Sequence, residues 1–150
     1  MNFKTVLDYR RSLEEQARIG LAVAARELED RLATVRALEQ DLDRFLEDLM
    51  RGNRQGLPAS DGLMRYHFAD HLAANLAAAR REVEQVRIRK ERHENALREA
   101  MRDCRVVETL DARRATEQGR RAVRAAQHLH DEAGIRRWRE VAHVGTRDET

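Results

Sequence analysis

Helix breakers are scarce in this 150-residue chain: one proline, Pro58, and seven glycines, none adjacent to another. Aromatics make up only 4% of the residues, which leaves little material for the core of a globular domain. A single cysteine, Cys104, excludes any intramolecular disulfide and fits a reducing compartment. No long apolar run is present. The stretch HLAANLAAA at 71–79 falls far short of the ~20 residues that span a bilayer, and the start MNFKTVLDYRR lacks the apolar core of a signal peptide. Charge of one sign is also lacking. The 29 basic and 27 acidic residues leave a formal charge of +2, too small for a general polyanion binder.

What is abundant is charge itself, at 37%, together with alanine, leucine, glutamate and arginine. That composition suits long helices or a coiled coil. High charge also marks disorder, and periodicity decides between the two. Apolar or small side chains recur three or four apart at Phe3, Val6, Leu13, Ala17, Leu21, Ala25, Leu28, Leu32, Val35, Leu38, Leu42, Leu46 and Leu49. This is the seam of a coiled-coil helix over 3–50, roughly 70 Å long at ~1.5 Å per residue. RGNRQGLPASDG at 51–62 gathers three glycines and the proline and reads as a loop, with Ser60 or Asp61 placed to cap the next helix.

A second seam then runs Leu72, Leu76, Ala79, Val83, Val86, Lys90, His93, Leu97, Ala100, Cys104, Val107 in strict alternation of four and three. Disorder gives no reason for such regularity. Helix 2 is expected over about 63–140, with a frayed tail at 141–150. A short loop between long helices makes them antiparallel neighbours. The expected fold is all-α, a single domain built as a two-stranded antiparallel coiled-coil hairpin in which the second helix overhangs the first. If Met50 faces Leu63, facing residues have numbers totalling about 113, give or take a turn. His93 then lies at Gly20, where a missing side chain leaves room for the ring. Lys90 lies near Val23 and Ala24, with its ammonium reaching water. Phe3 lies near Leu110.

Beyond Leu110 the second helix has no first helix to pack on. The seam slips at 107, 111, 115 and resumes weakly as Ala115, Gly119, Ala122, Ala126, Leu129, Ala133. In 112–130 five arginines (Arg113, Arg114, Arg120, Arg121, Arg124) stand against one acid, Glu117. A lone helix of this composition is marginal, so it frays or docks on a partly acidic partner. Trp138, in IRRWRE, is either a half-exposed ring or an interface anchor, since tryptophan and arginine are over-represented among hot spots. Arg10 and Arg11 add to a basic open end. Tyr66 and Phe68, with Leu72 a turn on, either close the loop end of the hairpin or form an exposed docking patch.

Chemistry-bearing clusters are weak. His67 and His71 are four apart beside Asp70, a spacing that can hold a metal, but neither HExxH nor an obvious third ligand accompanies them. They read as solvated or partner-facing, and no metal or cofactor is expected. Cys104 in the seam reads as a small core residue. Neither a phosphate loop nor a catalytic constellation appears, and an enzyme is the least expected class.

The start F-x-x-V-L-D-Y-R-x-x-x-E-E (Phe3, Val6, Leu7, Asp8, Tyr9, Arg10, Glu14, Glu15) resembles that of the flagellar export protein FliJ family. The helix–break–longer helix layout is similar too, with Tyr66 and Phe68 opening helix 2. So is V-V-E-T-L-D-A-R-R (Val106 to Arg114), although that family commonly has more lysine here and often an aromatic where this chain has Ala115 and Thr116. The resemblance spans roughly 3–140. It implies a non-enzymatic, cytoplasmic component of the flagellar type III export apparatus, peripheral to the inner membrane and shaped like the central-stalk coiled coil of rotary ATP synthases. It implies binding of the hexameric export ATPase by the open end (Phe3, Tyr9, Arg10, Arg11, Arg113, Arg114, Arg120, Arg121, Arg124, Trp138). It also implies contact with the export gate's cytoplasmic domain and export chaperones, through Tyr66, Phe68 and Leu72. Alternatives are the stalk of a virulence-type secretion system, a self-associating structural coiled coil, and a nucleic-acid-binding coiled coil. Against the last, residues 1–50 carry 8 basic and 11 acidic residues, and the aromatics do not interleave with the arginines.

Overall fold

A computed structural model describes residues 2–56 and 58–145. Among these residues the structure is two helices and no strand: α1, Phe3–Arg54, and α2, Ala59–Gly145. The break is shorter than the glycine and proline content of 51–62 suggested. Arg51, Gly52 and Asn53 stay helical because Gly52 is buried, and the turn closes only at Gly56. There φ is +76°, the left-handed conformation that glycine adopts without penalty and that ends many helices. The Gln55 N–H donates to the carbonyls of Arg51 (3.2 Å) and Gly52 (3.1 Å), finishing the helix. At the other side the Pro58 carbonyl accepts from the N–H groups of Asp61 and Gly62, both at 3.1 Å. Ser60 and Asp61 therefore lie inside the first turn and do not cap it. Asp61 there still suits the positive end of the helix dipole. The helix also continues past 140, through the first five residues of the segment expected to fray, with no breaker before Gly145. Residues 146–150 of that tail lie outside the described ones.

The chain clusters into two compact units. One, Asp8–Asp103, is an antiparallel hairpin of the two helices. Its register is fixed by pairs whose residue numbers total 113: Arg10 with Asp103 at 3.0 Å, Arg31 with Glu82 at 2.7 Å, and the rings of Phe45 and Phe68 at 4.9 Å, edge to face. Gly20 and His93 meet in the same register, and a Cβ on Gly20 would stand 2.9 Å from His93 Nδ1. The register expected from the loop position is the one found. Arg89–Glu27 (2.9 Å) and Arg80–Glu39 (2.8 Å) bridge the helices as well. All these ion pairs are solvent-exposed, so each adds little stability, and packing carries the fold.

Val35, Leu76 and Val83 form the buried centre, with Leu28, Leu32, Leu38, Leu42 and Ala79 packed against it. Ala24, Leu49, Ala69 and Val86 are also buried. Lys90 is partly exposed and reaches Glu94 at 3.5 Å, as a seam lysine with its head in water should. The seam departs from expectation at two places: in α2 His93 is exposed although its ring meets Gly20, and in α1 Leu46 gives way to its neighbour. Leu46 is 39% exposed, and Phe45 turns inward in its stead. The reason is periodic: from Val35 the inward residues run 38, 42, 45, 49, 52, an unbroken alternation of three and four that the step from Leu42 to Leu46 interrupts.

The other unit holds the start of α1 up to Leu7 and α2 from Cys104 onward. Cys104 is 3% exposed, which agrees with its reading as a small core residue. Phe3, Val6, Leu7 and Val107 are half-buried. The Arg114 guanidinium lies over the Phe3 ring at 5.1 Å, one turn beyond the expected Leu110. From Glu108 to Gly145 every residue of α2 is exposed.

Candidate interaction surfaces

The exposed part of α2 carries two stripes. One repeats the weak seam: Ala115, Gly119, Ala122, Ala126, Leu129 and Ala133, all exposed, with Leu129 at 69%. A strip so narrow removes little apolar area from water. At about 25 cal/mol per Å² it cannot hold a helix by itself. The second stripe runs Arg113, Glu117, Arg120, Arg124, spaced four, three, four, so three guanidinium groups share one face of the helix. Shallow grooves beside them are lined by Arg105, Val106, Thr109 and Leu110, and by Ala112, Thr116 and Glu117. Thr109 and Thr116 do not reach outward. Their hydroxyls donate back to the carbonyls of Arg105 (2.8 Å) and Ala112 (2.9 Å).

Of the arginines singled out from the sequence, two are engaged within the unit. Arg114 covers Phe3, and Arg121 is paired with Glu117 one turn back. Arg113, Arg120 and Arg124 are exposed and make no ion pair among the described residues. Trp138 is 72% exposed and lies two heptads past Arg124, about 21 Å along the axis. It returns near the arginine face, flanked by Arg137 and Arg139. The structure thus joins Phe3 to Arg114 and sets Arg113, Arg120 and Arg124 on one face, while Arg121 is held to Glu117 of that stripe.

Tyr9, Arg10 and Arg11 belong to the hairpin unit. Tyr9 is 61% exposed, Arg10 is held by Asp103, and Arg11 is exposed. At the loop end Phe68 packs edge-on against Phe45, and the Tyr66 hydroxyl accepts a hydrogen bond from Asn53 Nδ2 at 3.3 Å. Both rings tie the hairpin end together, yet Tyr66 stays 54% and Phe68 49% exposed. Leu72 is half-buried in the seam. Sequence reasoning missed Phe45, and with it the exposed Leu46, Met50, Leu63 and Met64 that surround this end. The signal for Phe45 was the strict alternation of spacings.

His67 and His71 are exposed, and no group of three metal-binding side chains forms among the described residues. No helix among them is long and apolar enough to cross a membrane. A family model described as flagellar FliJ protein matches residues 1–142, spanning both units. No curated protein and no solved structure is a match.

Proposed function

The chain belongs to the FliJ family of flagellar proteins, components of type III export, and on that premise we propose that it acts as a non-enzymatic stalk in the export apparatus. In this reading the exposed segment of α2 enters the central opening of the hexameric export ATPase and promotes its assembly and activity. The observation that carries it is the run from Glu108 to Gly145 in which every residue is exposed while Arg113, Arg120 and Arg124 line one face. A helix of that kind gains most of its stability from a partner, and acidic groups lining the ring's opening would suit three guanidinium groups that make no ion pair among the described residues. Phe3, Tyr9, Arg10, Arg11 and Trp138 would extend the contact, with Arg114 and Arg121 shaping it through Phe3 and Glu117. The loop end, through Tyr66, Phe68 and Leu72, would meet the cytoplasmic domain of the export gate and the export chaperones.

The test is charge reversal of Arg113, Arg120 and Arg124 to glutamate. Since none of the three is packed, circular dichroism should change little. Stimulation of the export ATPase should fall by about tenfold or more, in keeping with the loss of several charge-assisted contacts. Full stimulation by a well-folded triple variant would overturn the reading.

A further inference from the structure

The flank of the hairpin beside Tyr66 is a built face. On α1, Glu39, Asp43, Leu46, Met50 and Asn53 are spaced four, three, four, three and form one stripe. On α2, Leu63, Tyr66, Asp70, Ala73, Ala77 and Arg80 are spaced three, four, three, four, three and form another. Two cross-links tie the stripes together at their ends: Arg80 to Glu39 at 2.8 Å and Asn53 to the Tyr66 hydroxyl at 3.3 Å. Between these ends lies an apolar floor. Met50 is 59% exposed, Leu63 61%, Tyr66 54% and Leu46 39%, and Ala73 and Ala77 are exposed beside them. Phe45 and Phe68 meet each other, and it is the inward turn of Phe45 that leaves Leu46 on this face.

The charge of the face is one-sided. Arg80 is its one cation and is engaged by Glu39. Asp43 and Asp70 make no ion pair among the described residues, and the register sets them within about a turn of each other across the face. Like charges so placed favour a cation between them. From Glu39 to Asn53 the face runs about 21 Å, the length of roughly four helical turns. A flexible methionine and small alanines on its floor accommodate branched side chains.

We propose that this face docks one amphipathic helix of about four turns, with a leucine-rich strip flanked by lysine or arginine, so that the hairpin becomes a three-helix bundle there. Leu46, Met50, Leu63 and Tyr66 bury the strip, and Asp43 and Asp70 receive its cations. The proposal rests on the reading of the loop end as a partner surface, with which it shares Tyr66, and does not depend on the ring-binding reading of α2.

The probe is a synthetic, fluorescently labelled peptide of about four helical turns with a leucine strip flanked by lysines, and its twin with glutamate for lysine. Added to the full-length protein, the lysine peptide should show saturable anisotropy, and the glutamate twin should bind at least about tenfold more weakly. Leu46→Ser with Met50→Ser should weaken the lysine peptide about tenfold, and so should Ala73→Arg, which removes no packed group. Asp43→Asn with Asp70→Asn should lower affinity and flatten its salt dependence. The proposal is overturned if the serine pair binds like the unaltered protein, because attraction would then be by charge alone. It is overturned equally if Arg113→Glu, Arg120→Glu or Arg124→Glu alters binding while Ala73→Arg does not, or if neither peptide binds.

Discussion

Gly20 sits half-buried in α1, and a Cβ there would approach His93 Nδ1 to 2.9 Å. Two effects oppose each other at this residue. Glycine within a helix costs about 1 kcal/mol relative to alanine, while an added methyl group must push the imidazole aside. A double-mutant cycle separates them. Gly20→Ala alone should stabilise the hairpin by well under about 1 kcal/mol in urea unfolding, whereas in a His93→Ala background it should give the full amount of about 1 kcal/mol. Equal gains in both backgrounds would show that the pair does not touch in solution. The meeting of Gly20 and His93 was readable from the sequence because it follows from register alone. Which arginines are already engaged was not. Arg114 covering Phe3 depends on how the start of α1 lies against α2, and no spacing rule supplies that.

Within α2, one unbroken helix contains two kinds of environment. From Ala69 to Cys104 the seam residues are buried or half-buried almost without exception, while every residue beyond Val107 is exposed. Backbone hydrogen bonds without tertiary cover open more often, since helix propensity and pairs such as Arg121–Glu117 supply only tenths of a kcal/mol each. In native-state hydrogen exchange, amides of 119–145 should exchange at least about a hundredfold faster than those of 76–100. Uniform protection along α2 would contradict the contrast. The periodicity of this helix was legible throughout, since each seam step is three or four. Its ends were less so. A buried Gly52 keeps α1 helical to Arg54, and the Pro58 carbonyl starts α2 at Ala59, whereas glycine and proline counts alone suggest a wider loop.

For the molecule as a whole, composition excluded a globular core, and spacing led to the antiparallel hairpin with its register. The arginine run read as a helix in want of a partner, and the family match over residues 1–142 places the chain in flagellar export. The flank of Leu46, Met50, Leu63 and Tyr66 was not legible, because it arises only once Phe45 rather than Leu46 takes the inward place. The central claim is that the exposed segment of α2 carries the contact with the export ATPase. The most direct measurement is co-sedimentation of the assembled ATPase with the full chain and with a version ending at Leu110, which retains the Asp8–Asp103 hairpin. The full chain should sediment with the ring and the shortened one should stay in the supernatant. Equal binding by the two would contradict the account.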